Sequence, residues 1–207
     1  MEKLKEKLLE RCSACDCRKT YDNISNSANS AELMQAIKND FNIVVLNKII
    51  DAELFAAYRH LFEMHNIFHN KDINHGHVLV TGNATVNVSG DAIAVARNIC
   101  ADTLWQNVRD NCNTINTRNN AIVYIYGSAT VEACDDVSVY SEGMYGNATI
   151  KAYNNVTVYA HNSVVNAKHN VRVAEADGNT EINLYDNAVV INKLSDKVRI
   201  NNYKENQ

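Results

Sequence analysis

The stretch Asn147-Ala-Thr-Ile-Lys-Ala152 is followed by Asn155-Val-Thr-Val-Tyr-Ala160 and then by Asn162-Ser-Val-Val-Asn-Ala167. Each unit opens on Asn and alternates small or β-branched residues with polar ones, the period-two pattern of a strand with one buried face. Units of the same form begin at Asn83, Asn120, Ser128, Asp136, Asn170, Asn179 and Asn187. A short fixed period with inward-facing Ala and Val predicts a parallel β-solenoid, in which stacked turns pair their strands.

The second outward position of each unit alternates in character along the chain. Alternate units carry Tyr124, Tyr140, Tyr159, Ala174 and Ile191 there, and the units between them carry Glu132, Lys151, Asn166 and Asn183. Two strands per coil explain this alternation, because like residues would then stack in neighbouring coils. The sequence therefore predicts a two-faced solenoid of about 16 residues per coil. The corners are rich in Asn and Asp, which tolerate left-handed backbone, and the chain has no proline.

The chain before the repeats has helical periodicity, and we expect three parts: a helical domain over 1–76, a solenoid over 77–200 and a tail over 201–207. Leu4 and Leu8 give residues 2–11 one apolar face. Asn29 and Glu32 have the spacing of an N-cap with its reciprocal partner. Asp51 can cap a further helix over 52–65, whereas 41–50 is apolar and could be a strand or a buried helix. The fold class is thus α+β.

Composition and charge narrow the class of protein. Apolar residues make up 46% and charged residues 21%, and no apolar run approaches the length of a membrane span. The net charge of −4 comes without a cluster of Lys and Arg, so we expect no direct nucleic-acid binding and no membrane binding. The N-terminus shows no secretory signal, which favours a cytoplasmic location and reduced cysteines.

Residues 98–118 follow the repeat poorly. The segment carries Trp105 and several charges in no clear register with the units on either side. We expect irregular rungs or an inserted loop here, and loops on a solenoid can mark a binding edge.

Residues 77–192 resemble the Asn-Ala-Thr-Val repeat proteins met in phages, prophages and gut bacterial mobile elements. The stretch from 38 to 68 is similar to the helical lead-in that often precedes such repeats. Leu8-Leu-Glu-Arg-Cys-Ser-Ala-Cys15 resembles a small helical module of the same proteins, with Ser13 where Gly is usual. The resemblance implies a mobile-element origin, a bacterial host cell and a solenoid with a helical N-terminal region.

Two groups of residues could ligate a metal. Cys12, Cys15 and Cys17 offer three thiols, but no second pair at a similar spacing completes a zinc site, and small buried core residues are the simpler interpretation. His65 and His69 lie four residues apart without an acidic partner at a suitable spacing. We therefore expect no metal and no cofactor.

Catalysis by a carbohydrate-active β-helix enzyme would need a cleft of acidic and basic residues on one face. Glu132, Lys151 and Glu181 share a predicted face, together with Thr and Asn residues typical of any solvated sheet. Thr130 and Thr149 look isolated, which disfavours the Thr ladders of an ice-binding surface. We expect no enzymatic activity.

The opposite face is richer in uncharged aromatic and aliphatic residues. Ile122, Tyr124, Tyr140, Tyr159, Val189 and Ile191 are predicted to point outward. Such residues are the anchors of protein interfaces, so we assign Ile122, Tyr124, Tyr140 and Tyr159, with Trp105 in the irregular segment, to partner binding. The alternative is that the N-terminal helices cover this face.

The sequence thus favours a non-enzymatic protein-binding protein. The phage-like resemblance implies a stoichiometric inhibitor of a bacterial defence system, similar to anti-CRISPR proteins, whose partner is a CRISPR effector or another defence protein. The alternatives are a self-assembling structural solenoid, with open coil ends that stack, and a carbohydrate-active enzyme. We also consider a homodimer as a form of this protein.

Overall fold

The computed structural model describes residues 1–15, 17–82, 84–97, 113–142 and 147–203. These residues form two compact units, Met1–His69 and Asn70–Gln207. The first unit is helical and the second is built from parallel strands.

The first unit contains six helices and a short strand. They are α1 (Glu2–Ala14), α2 (Arg18–Ser25), α3 (Ser30–Asn39), α4 (Phe41–Leu46), α5 (Ala52–Ala57), α6 (Arg59–Met64) and β1 (Ile67–His69). The predicted cap of α3 is confirmed: Glu32 donates its backbone N–H to Asn29 Oδ1 at 3.0 Å, and Asn29 Nδ2 donates to Glu32 Oε1 at 2.7 Å. Asp51 Oδ1 accepts from the Leu54 N–H at 2.8 Å at the start of α5.

Two expectations for the helical region need correction. The helix expected over 52–65 is interrupted at Tyr58, whose φ of −125° and ψ of 25° leave the helical region between α5 and α6. Phe55 and Phe62, which lie on either side of the break, are both buried, and their rings stack with centroids 5.2 Å apart. The undecided stretch 41–50 begins with the helix α4, and α2 was not anticipated because its eight residues carry few apolar side chains.

The second unit is a two-faced parallel β-solenoid. Its strands are β2 (His77–Val80), β3 (Thr85–Val88), β4 (Ile93–Arg97), β5 (Asn113–Arg118), β6 (Ile122–Tyr126), β7 (Ala129–Cys134), β8 (Ser138–Glu142), β9 (Ala148–Tyr153), β10 (Thr157–His161), β11 (Ser163–Lys168), β12 (Arg172–Asp177), β13 (Glu181–Tyr185), β14 (Val189–Lys193) and β15 (Arg199–Tyr203). The chain alternates between two sheets, ordered β2-β4-β6-β8-β10-β12-β14 and β3-β5-β7-β9-β11-β13-β15. This arrangement confirms the predicted fold class.

The register of the strands shows how long each turn is. Thr114, Thr130, Thr149, Val164 and Glu181 occupy equivalent positions in successive turns of one sheet. Each coil of the solenoid contains about 17 residues, slightly more than the expected 16. Between the sheets lies a core of small and β-branched residues; among them Ala148 and Ser163 pair in register, as predicted for one inner wall.

Left-handed backbone at the corners confirms the expected role of Asn and Asp. Positive φ angles occur at the corner residues Asn119, Asp135, Asn154, Asn162, His169 and Asp186. Gly178 also has a positive φ and lies close to the Asn162 side chain, and glycine adopts this backbone conformation without strain.

The segment expected to be irregular is more ordered than the sequence indicated. Residues 113–118 form the regular strand β5, which pairs with β3 and β7. The expectation of irregularity over 98–118 is therefore wrong for this part. Trp105 and the rest of 98–112 lie outside the described residues.

One edge of each sheet is already occupied within the second unit. Next to β3, the Ile73 N–H donates to Asn87 O at 3.0 Å and Ile73 O accepts from the Ser89 N–H at 3.0 Å. Next to β2, the Asn70 N–H donates to Leu79 O at 2.9 Å. A short run of chain thus satisfies main-chain groups that the first strands would otherwise leave open.

Candidate protein-binding face

Three tyrosines form a ladder on the sheet that contains β6, β8 and β10. Tyr124 pairs with Tyr140 and Tyr140 pairs with Tyr159 in the strand register. The ring centroids are 5.0 Å and 4.6 Å apart, with the planes 16° and 6° from parallel. All three side chains are partly exposed. The predicted stacking of these tyrosines across neighbouring coils is therefore confirmed.

Beside the tyrosine ladder runs a second, uncharged row. Ile122, Ser138 and Thr157 are aligned with one another two residues before the tyrosines, and each is partly exposed. The pKa of Tyr140 is raised by burial and by the neighbouring Tyr159 and Tyr124 hydroxyls, so its phenol is neutral at physiological pH. The six side chains together present an uncharged surface on a rigid sheet.

The ladder has a defined beginning and end. Before Tyr124, the equivalent residues Leu79 and Val95 are fully buried although they occupy outward positions. After Tyr159, the register shifts, and Tyr159 pairs with the exposed Glu175 instead of Ala174. The expectation that Ala174 continues the ladder is wrong, because one extra residue in β12 forms a bulge at this point. Val189 and Ile191 are exposed as expected, but they lie in β14, beyond this break.

The other sheet carries two polar ladders that the repeat pattern does not indicate. Thr85, Thr114, Thr130 and Thr149 are in register, so Thr130 and Thr149 are not isolated. Next to them, Asn116 Nδ2 donates to Asn87 Oδ1 at 3.0 Å, and Asn87 in turn donates to Asp72. The signal was present in the shared pattern Thr85-Val-Asn87 and Thr114-Ile-Asn116, which the poor repeat between them concealed.

Glu132, Lys151 and Glu181, which were considered for catalysis, lie on that sheet, but the two glutamates are not close together. Glu132 pairs with Lys151, whereas Glu181 lies three rungs further on and forms an ion pair with Arg199 at 3.4 Å. At about 4.8 Å per rung, the strands that carry Glu132 and Glu181 are about 14 Å apart. A glycosidase needs its carboxyl pair within about 5–10 Å. Glu132 and Glu181 therefore cannot act as such a pair.

The two cysteines that follow Cys12 lie side by side. The Cα atoms of Cys15 and Cys17 are 5.4 Å apart, within the range that a disulfide can bridge. Cys12 is buried in α1, and burial raises its pKa to about 11, which leaves its thiol protonated and unreactive. Within the described ranges, no group of three or more His, Cys, Asp or Glu residues is arranged to hold a metal ion.

The two histidines considered as metal ligands are His65 and His69. The ring of His69 lies 5.5 Å from the ring of Phe55, and burial together with Arg59 lowers the His69 pKa. His65 Nε2 is buried without a hydrogen-bond partner in the described part of the chain. His69 is therefore neutral at physiological pH.

In comparisons with known proteins, no family model, no curated protein and no solved structure matches this chain. Among the described residues, no helix is long and apolar enough to cross a membrane.

Proposed function

We propose that this protein is a non-enzymatic binding protein that engages a protein partner through the Tyr124, Tyr140 and Tyr159 ladder. The observation that carries the proposal is an uncharged aromatic stack, partly exposed, on a sheet that fixes its geometry. Tyrosine is enriched at protein interfaces because it combines a large apolar surface with a hydroxyl that can hydrogen-bond.

The stacking of the rings favours a protein partner over a nucleic acid or a sugar. Bases and sugar rings bind by covering the flat face of an aromatic side chain. Here the faces of Tyr140 are taken up by Tyr124 and Tyr159, so the ladder presents ring edges and hydroxyls. Edges and hydroxyls suit the mixed apolar and hydrogen-bonding surface of a protein.

Pre-ordering of the rings also favours binding. A free tyrosine side chain loses rotamer freedom when it enters an interface, at a cost of about 0.5–1.5 kcal/mol. The three rings are already held by one another and by the sheet, so most of that cost has been met during folding. Ile122, Ser138 and Thr157 extend the same uncharged surface.

The class of partner rests on the resemblance of residues 77–192 to phage and mobile-element repeat proteins. On that basis the partner is a bacterial defence protein, such as a CRISPR effector, in the bacterial cytoplasm, and the protein acts as a stoichiometric inhibitor. Expression of the chain in a CRISPR-immune strain should restore plaque formation by a targeted phage. A strain without CRISPR immunity is the control, and an unchanged plaque count in the immune strain would contradict this partner class.

Capture from a bacterial lysate tests the binding face itself. The double variant Tyr124→Ala/Tyr140→Ala should lose a partner that the wild-type protein retains. The matched control is Glu132→Ala/Lys151→Ala, which removes two exposed side chains from the other sheet and should retain the partner. Retention by the tyrosine double variant, with its circular dichroism unchanged, would overturn the proposal.

A further inference from the structure

Exposed apolar side chains are concentrated in the last described coil of the solenoid, which contains β14 and β15. Among the described residues, eight large hydrophobic side chains are exposed, and five of them lie between 189 and 203: Val189, Ile191, Leu194, Ile200 and Tyr203. Ile200 continues the inner row that runs through Val165 and Ile182, yet it is 37% exposed. An apolar patch of this kind on a folded domain marks an interaction surface.

Within the described residues, the same coil ends both sheets. β14 and β15 are each the last strand of their sheet in the described part of the chain. The Arg199 N–H donates inward to Thr180 O at 2.9 Å, so the main-chain groups of the alternate residues Ile200 and Asn202 point away from the sheet. We propose that these two edges and the exposed apolar residues form a two-fold dimer interface with a second copy of this chain.

Head-to-tail stacking is disfavoured by the opposite end of the solenoid. A polymer would place β15 of one copy beside β3 of the next and β14 beside β2. Those edges are occupied, since Ile73 bonds to Asn87 and Ser89, and Asn70 bonds to Leu79 and Thr81. Among the described strands of the second unit, only β14 and β15 lack a neighbouring segment on one side, so two copies that pair through these strands form an assembly that closes at two.

Two-fold symmetry determines the strand pairing. A two-fold rotation that brings β15 beside its copy reverses the strand direction, so the new pair is antiparallel. Full overlap of Arg199–Tyr203 with itself centres the pair on Asn201. Ile200 then lies opposite Asn202 of the second copy, and their outward-pointing main-chain groups exchange hydrogen bonds.

This register also keeps the two Arg199 side chains of the dimer apart. Arg199 lies opposite Tyr203 of the second copy, and like charges do not meet along β15. Tyr203 stacks on Tyr185 at 5.0 Å, which leaves its other face open to the guanidinium of Arg199. The exposed Ile191, at the middle of β14, meets its own copy in the other sheet when the two strands overlap fully.

Sedimentation velocity on the full chain tests the proposal. The wild-type protein should sediment at twice its 23.1 kDa mass at micromolar concentration. Asn202→Pro removes one outward-pointing N–H without disturbing the bonds to β13, and it should give a monomer. Asn202→Ala keeps that N–H and should remain a dimer. A wild-type monomer, or a series of higher oligomers, would overturn the proposal.

A crosslink tests the register separately. Two Asn201 residues in a non-hydrogen-bonded antiparallel pair have Cα atoms about 4.5 Å apart, within the range of a disulfide. Asn201→Cys should therefore form an intermolecular disulfide at position 201 under mild oxidation, identified by peptide mass mapping. Arg199→Cys should not crosslink to itself, and an equal yield from both variants would contradict this register.

Discussion

The ring of Tyr140 stacks on the ring of Tyr159 with centroids 4.6 Å apart and planes 6° from parallel. Tyr124 covers the other face of Tyr140 at 5.0 Å. Tyr140 is therefore the centre of the ladder and makes two aromatic contacts, while Tyr124 and Tyr159 each make one within it. This difference gives the ladder a measurable signature in stability.

Replacing Tyr140 by Ala should destabilise the solenoid more than replacing Tyr124. Each stacked pair contributes about 0.5–1.5 kcal/mol beyond its buried area, so Tyr140→Ala should lose about 1–3 kcal/mol of unfolding free energy from stacking. Tyr124→Ala should lose about half of that. Urea titration followed by circular dichroism measures both values, and equal losses would show that the rings do not stack in solution.

The inner wall of the solenoid should not accept a larger side chain. Ala148 is fully buried and pairs with Ser163, so Ala148→Phe should overpack the core and cost about 1–3 kcal/mol. Thr149 is the next residue and points outward, and Thr149→Phe should leave the melting temperature nearly unchanged. Equal thermal destabilisation by the two substitutions would contradict the register of β9.

The first rung of the Asn ladder should make stability depend on acid pH. The Asn87 N–H and Nδ2 each donate to the Asp72 carboxylate at 2.8 Å, and these bonds lower the Asp72 pKa below its ordinary value of 3.8. Since the folded pKa is the lower one, the stabilisation is present above pH 3.8 and is lost as pH falls through the folded pKa.

Asp72→Asn removes this titration and is the matched variant. Its unfolding free energy should fall less than that of the wild type between neutral pH and pH values below 3.8. Parallel pH profiles for the two proteins would mean that the Asp72 carboxylate is not bonded to Asn87 in solution.

The sequence was sufficient to predict the two-faced coil, because alternation of Tyr140 with Glu132 and Lys151 reflects which sheet each strand joins. It did not reveal the bulge at Ala174, since one extra residue in a strand leaves the repeat spacing nearly unchanged. It also missed β5, because the residues between 97 and 113 shift the phase of the repeat. Local pattern cannot locate such irregularities, which depend on pairing with neighbouring turns.

The helical region was predicted less completely for a related reason. Caps at Asn29 and Asp51 are local signals and were readable from the sequence. The break at Tyr58 leaves no signal in the apolar periodicity, although it accompanies the stacking of Phe55 on Phe62. Periodicity alone therefore predicts one continuous helix.

Calorimetric titration of a captured, purified partner against single variants tests the central proposal most directly. A buried aromatic anchor typically contributes about 2 kcal/mol or more to the binding free energy. Tyr140→Ala should therefore raise the dissociation constant by about 30-fold or more. Lys151→Ala, on the opposite sheet, should leave the affinity unchanged. An unchanged affinity for Tyr140→Ala, with the solenoid still folded, would contradict the assignment of the tyrosine ladder as the binding face.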